Sequence, residues 1–194
     1  SNPEVVTRLR QFGDSQYMFV ANDHRTYGDY VGQYKMVMEK GLPSKTQITL
    51  NTKPSGSVYD LTNHKQIPTT KIKGKVQFGV DLDGGGGNVF LVTNNPIGKL
   101  QISAANSVKR GASIPVKVLL RDSSGKSLSA VIPLKVTILD SKGRVVEKSG
   151  YYGAVNGALN LSLDIAANDA AGKWQIEVTE ALTGQKVIRR FAVN

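Results

Sequence analysis

Apolar residues fall at every second position through segment after segment of the second half of this chain, and that period admits few folds. Ile114, Val116, Val118 and Leu120 form one such set, and Leu134, Val136 and Ile138 the next. Leu159, Leu161 and Leu163 follow, then Trp174, Ile176 and Val178, and finally Val187 with Phe191. A period of two is that of a strand with one buried face. Asp122-Ser-Ser-Gly125, Asp140-Ser-Lys-Gly143 and Leu182-Thr-Gly184 punctuate the sets, each ending in a glycine suited to a tight turn. Six or seven strands at this spacing predict a sandwich, with Trp174 in its core.

The first half shows the same grammar less regularly. Strands are expected at residues 5–9, 17–20, 35–39, 46–50, 58–61, 75–80 and 89–92, interrupted by Pro43, Pro54-Ser-Gly56 and the Gly84–Gly87 run. Helical periodicity is nowhere sustained, apart from a weak trace around residues 30–40. Asn94-Asn-Pro-Ile-Gly98 reads as a joint. The expectation is an all-β chain of two consecutive antiparallel sandwiches, residues 1–98 and 99–194.

The net charge of +10 raises the question of a polyanionic partner. Basic residues outnumber acidic ones by eleven to eight in residues 1–98 and by fourteen to seven in 99–194, and they alternate with apolar residues along the expected strands. The densest cluster is Lys71-Ile-Lys-Gly-Lys75. Charge spread in this way describes solvated strand faces, so no specific nucleic acid is expected as a partner. No apolar run is long enough to cross a bilayer, and membrane insertion is not expected. Without cysteine there is neither a disulfide nor a thiolate metal site.

Two resemblances follow from particular motifs. Gln16-Tyr-Met-Phe-Val-Ala-Asn-Asp23, Val58-Tyr-Asp-Leu61 and Asn88-Val-Phe-Leu-Val92 make the first half similar to the C-terminal β-sandwich appended to multidomain bacterial glycoside hydrolases. That likeness implies an accessory region serving an upstream catalytic domain of the same polypeptide, in a secreted or surface protein. The stretch His24 to Tyr34 departs from it, being longer than the loop such appendages have there. The second half resembles an immunoglobulin-like or macroglobulin-type module, on Lys109-Arg-Gly-Ala-Ser-Ile-Pro-Val116, the Asp-x-x-Gly-Lys/Arg hairpin used twice, and Gly172-Lys-Trp-Gln-Ile-Glu-Val178.

No constellation for catalysis stands out. His24 and His64 are the only histidines, neither with an evident Ser and Asp context, and both read as surface turn residues. Asp23 and Asp29 are the best pair of neighbouring carboxylates, without an acid–base motif around them. Asp81-Leu-Asp83 before four glycines offers two readings, a flexible hairpin or a weak cation site, and the latter lacks the closing ligands of a calcium loop. No cofactor is expected.

The best candidate binding segment is residues 26–34, read as a loop, with Tyr27, Tyr30 and Tyr34 beside Asp29 and Gln33. Tyrosine rings stack on apolar sugar faces while amides and carboxylates bond hydroxyls, so a polysaccharide is one candidate ligand. The alternative, and the favoured one, is that these tyrosines pack onto their own sandwich or onto a neighbouring domain. The functional expectation is a non-catalytic accessory region, with carbohydrate binding and protein interaction or adhesion as the other readings.

Overall fold

A computed structural model describes residues 2–51 and 56–194, so Pro54 and Ser55 of the expected strand break lie outside the described residues. The chain forms two compact units, Ser1–Gln11 with Ser15–Asn94, and Phe12–Asp14 with Asn95–Asn194. The described residues are all-β, and no helix among them is long and apolar enough to cross a membrane. The helical trace around residues 30–40 is two strands joined by a turn at residues 32–35, and the joint is shorter than expected because a strand begins at Ile97.

The described residues of unit 1 hold ten strands: β1 (Val5–Phe12), β2 (Ser15–Asn22), β3 (Arg25–Val31), β4 (Met36–Gly41), β5 (Ser44–Leu50), β6 (Ser57–Asp60), β7 (Lys65–Ile67), β8 (Thr70–Ile72), β9 (Lys75–Leu82) and β10 (Gly87–Thr93). One sheet runs β1-β2-β10-β6-β7 and a second β5-β9-β8. Their inward faces meet in one core, where Phe78 of β9 and Phe90 of β10 stack edge-to-face with ring centres 5.2 Å apart. Among the described residues β3 and β4 pair only with each other.

The resembling motifs turn out to be structural. Asp60 of Val58-Tyr-Asp-Leu61 is buried and closes the turn after β6, accepting hydrogen bonds from the Thr62 and Asn63 backbone N–H groups and from the side chains of Asn63 and Asn88. The glycine run corrects the hairpin reading. β9 and β10 lie in different sheets, so residues 83–86 form a crossover between layers, pinned by Gly86 N–H donating to Asp83 O and Asn22 N–H to Gly86 O.

Unit 2 holds β11 (Ile97–Ser103), β12 (Ser107–Val108), β13 (Ser113–Asp122), β14 (Val131–Leu139), β15 (Gly150–Val155), β16 (Ala158–Asp164), β17 (Gly172–Glu180) and β18 (Lys186–Val193). Their order is β11-β13-β16-β15-β14-β17-β18-β12, antiparallel except where β12 runs parallel to β18. β16 and β15 share the single pair Val155↔Ala158, so the sheet folds over there and its halves cover one another. Ile114, Val116, Val118 and Leu120 are buried in phase, as are Trp174, Ile176 and Val178. Trp174 sits opposite Phe191 and donates its indole N–H to Ala170 O at 2.8 Å, so its one polar atom is satisfied.

Three buried carboxylates close turns of unit 2. Asp122 Oδ1 accepts from the N–H groups of Ser124 and Lys126, and its Oδ2 from the Asn95 side chain at 2.9 Å. Those bonds, the Asn95 one foremost, hold its pKa down at about 2. Asp140 repeats the pattern with Lys142 and Arg144; burial pushes its pKa up, and the bonds from Arg144 and Lys142 outweigh it to leave the value lowered. Glu180 takes the same part for the turn 181–185.

Candidate functional site

Residues 25–41 form a two-stranded ribbon, in which β3 and the turn after it stand in place of the loop expected at 26–34, and β4 takes the place of the strand expected at 35–39. Its turn closes with Lys35 N–H donating to Gly32 O, with Gly32 and Lys35 both at positive φ. Across the ladder, residues directly opposite point to the same face. Tyr27↔Glu39 and Tyr30↔Val37 therefore define one face, and Val31↔Met36, with Met38 two residues on, the other. A register shift between Tyr27 and Tyr30 keeps both tyrosines on that first face, although three residues separate them.

An isolated two-stranded ribbon is marginal in water, so what holds its base matters. Asn22, buried at the end of β2, donates both amide hydrogens, to Leu42 O at 2.7 Å and Asp83 O at 2.8 Å, and its Oδ1 accepts from His24 N–H. Leu42 N–H donates to His24 O at 2.8 Å, tying the entry of the ribbon to its exit. Gly41 and Gly84 touch backbone to backbone: a Cβ on Gly41 would lie 2.7 Å from Gly84 C, and one on Gly84 would lie 2.4 Å from Gly41 O. Arg25 adds ion pairs with Asp23 and Glu39, and the Glu39 bond foremost raises the guanidinium pKa.

The tyrosines do not pack on their own sandwich, which overturns that part of the expectation. Tyr27 is 86%, Tyr30 71% and Tyr34 81% exposed. Asp29 and Gln33 are exposed beside them. The sequence reading missed the other half of the site: Met36 is 67% and Met38 57% exposed, with Val31 and Val37 also open to solvent. A signal for them exists, since Tyr30-Val31 and Met36-Val-Met38 are consecutive apolar runs, which reserve neither face of a strand for water. Elsewhere on unit 1, Val6, Phe19 and Val89 line a shallow apolar groove on the outer face of the first sheet.

The remaining candidates do not assemble into a site. Asp81 faces Lys45 across the β5–β9 ladder with 3.8 Å between charged atoms, while Asp83 contributes its backbone carbonyl to the Asn22 clamp. Among the described residues no group of three or more His, Cys, Asp or Glu side chains could hold a metal ion. His24 is half-buried, with its ring 3.5 Å from Glu4 and 3.4 Å from the Ser44 hydroxyl. Asp23 is engaged by Arg25.

The model of the MG2 domain family matches residues 108–193, wholly within unit 2. No curated protein matches the chain. Among solved structures, the chain is similar to the adhesin InvE of Yersinia pseudotuberculosis (10% identity, 100% of this chain and 60% of that one, TM-score 0.40). It is also similar to trypsin-activated alpha-2-macroglobulin from Escherichia coli (17% identity, 98% of this chain, TM-score 0.41), of which it spans 13%. A β-glucosidase from Listeria innocua aligns with 49% of this chain over 16% of its own length, at 14% identity and TM-score 0.33. Residues 108–193 thus carry the pattern of MG2, a non-catalytic immunoglobulin-like module of macroglobulin type.

Proposed function

We propose that this chain is a non-catalytic docking and spacing region of a larger bacterial secreted or surface protein, and that the β3–β4 ribbon is where a neighbouring protein domain grips it. One observation carries the reading: the ribbon is apolar on both faces, tyrosine and valine on one, valine and methionine on the other, and all are exposed. Burying such side chains is worth about 1.5–3 kcal/mol each, an incentive that a partner closing on both sides would collect in full. A sugar platform needs only one aromatic face. Methionine adapts to irregular protein surfaces, and tyrosine adds a polar tip to an apolar body.

The resemblance of unit 1 to glycoside hydrolase appendages makes an upstream catalytic domain of the same polypeptide the first candidate for that partner. MG2 domains occur in alpha-2-macroglobulin-like secreted or periplasmic proteins, which supports an extracellular, periplasmic or cell-surface location. This reading gives no role to specific nucleic acid or membrane insertion. Lys71, Lys73 and Lys75 lie exposed along the tight β8–β9 turn, a solvated hairpin.

The test compares this chain with the full-length protein. Chymotrypsin should cut readily at Tyr27, Tyr30 and Tyr34 in the chain and be excluded there in the full-length protein. Changing all three to Ser should lower the melting temperature of the full-length protein and leave that of the chain nearly fixed. Equal cleavage in both would reject docking. A second reading, carbohydrate binding, draws on Tyr27 and Tyr30 sharing one face; loss of retention on a polysaccharide gel in the triple variant, with cleavage unprotected in the full-length protein, would establish it instead.

A further inference from the structure

β1 ends the first sheet of unit 1, and among the described residues no strand pairs beyond it. The two-residue turn Gly13-Asp14 and the bond from Asp23 N–H to Glu4 O at 2.8 Å agree on its register against β2. Glu4 lies opposite Asp23, Thr7 opposite Val20, Arg8 opposite Phe19 and Leu9 opposite Met18. Because Glu4 and Asp23 are a bonded pair, the backbone groups of Val6, Arg8 and Arg10 turn toward β2, and those of Val5, Thr7 and Leu9 turn outward. Val5 N–H is taken by Asn2 O, while Thr7 and Leu9 present both N–H and C=O to the open side. Every residue from Val6 to Phe12 is exposed, so this edge is clear along its length.

Val5, Thr7 and Leu9 share the face of Met18 and Val20, which are buried in the core, whereas Val6 and Arg8 line the outer groove with Phe19. Edges that resist pairing carry an inward-pointing charge, a proline or a bulge. Here the inward positions are uncharged, and Leu9 is 45% exposed at the flank of the core. We propose that this edge pairs antiparallel with the same edge of a second copy of the chain, about a two-fold axis at Thr7. Thr7 then meets Thr7, Val5 meets Leu9, Val6 meets the stem of Arg8, and Glu4 meets Arg10 with opposite charge. Charge selects that register. Sliding the copies by two residues in one direction sets Arg8 on Arg8, and by four sets Arg8 on Arg10; sliding them by two the other way leaves only Val5–Thr7 overlapping. One strand from each copy buries less than a standard interface, so the dimer is weak and forms only at high concentration.

The test is sedimentation velocity with amide hydrogen exchange on the full chain, from micromolar to millimolar concentration. A dimer should appear toward the upper end, and exchange at Thr7 and Leu9 should slow as it forms. Glu4→Arg and Arg10→Glu should each weaken dimerisation about tenfold or more. An equimolar mixture of the two variants, in which every such pair again joins opposite charges, should dimerise as the unchanged chain does. That rescue separates charge pairing from the loss of the contact between Glu4 and the His24 ring, which Glu4→Arg also removes. Thr7→Pro deletes an N–H that faces away from β2, so it should abolish the dimer and leave the melt nearly unchanged. A chain still monomeric at millimolar concentration, a dimer indifferent to Thr7→Pro, or a mixture no better than its components would overturn the proposal. So would rescue of Glu4→Arg by Arg8→Glu in place of Arg10→Glu, which would mark the shorter register.

Discussion

The two units use apolar residues in opposite ways. In unit 2 they alternate with polar ones along β13, β14 and β17, and the alternating set is buried on each strand. In unit 1 the sandwich strands β2, β5 and β9 do the same, but β3 and β4 carry a second apolar set that the unit never covers. Alternation is what a chain needs to bury one face of a sheet by itself. Consecutive apolar residues on a ribbon leave apolar side chains that the unit itself does not cover, the observation on which the proposed docking rests. Unit 2 is thereby complete as a folding unit, and unit 1 is complete except for its arm.

The comparison predicts its largest effect at the centre of unit 2. Trp174→Ala removes a buried ring that touches Phe191 and should cost about 3 to 5 kcal/mol in urea unfolding. A loss under about 1 kcal/mol would mean that the core of unit 2 is not organised around that strand. In unit 1 the sensitive position is polar. Asn22→Ala strands two backbone carbonyls at the ribbon base and should cost about 1 to 3 kcal/mol, with faster amide exchange in β3 and β4. Unchanged exchange there would show that the ribbon is held by its own ladder.

The smallest effect is one of pH. Asp122 has a folded pKa of about 2, below the ordinary carboxylate value, so its contribution is fully present above the unfolded pKa near 4 and is lost as pH falls through about 2. Thermal melts should show unit 2 weakening across that window, and Asp122→Asn should flatten the dependence. A profile equally steep in the variant would assign the acid sensitivity to other groups, Asp140 first among them.

What the sequence made legible follows the same divide. The period-two sets of unit 2 marked its strands and the burial of Trp174, because each strand buries one face within its own unit. The turns Asp122-Ser-Ser-Gly125 and Asp140-Ser-Lys-Gly143 were recognisable from Gly125 and Gly143, while the capping role of the two aspartates needs coordinates, since a carboxylate that accepts backbone bonds looks in sequence like any surface acid. Residues 26–34 of the ribbon read as a loop because Gly28, Asp29 and Gly32 are turn formers, and a strand with no buried face shows no alternation, whereas the second strand is legible at 35–39. The crossover at residues 83–86 was misread as a hairpin because adjacent strands in sequence are ordinarily adjacent in a sheet. Gly41 and Gly84 carry no signal of partnership, as forty-odd residues separate them.

That glycine contact makes the ribbon a socketed part. The bonds that tie it to the sandwich lie below residue 25 or beyond residue 40, in Asn22, Leu42, Asp83 and the Gly41–Gly84 touch, and within the span only the surface pair of Arg25 with Glu39 adds to them, so that span can change without disturbing the sandwich. If the ribbon docks as proposed, a lineage could exchange partners by rewriting residues 26–40 alone, keeping the glycines as the fitting. The same socket would accept a foreign hairpin, which makes unit 1 a scaffold on which a recognition ribbon can be replaced as a cassette.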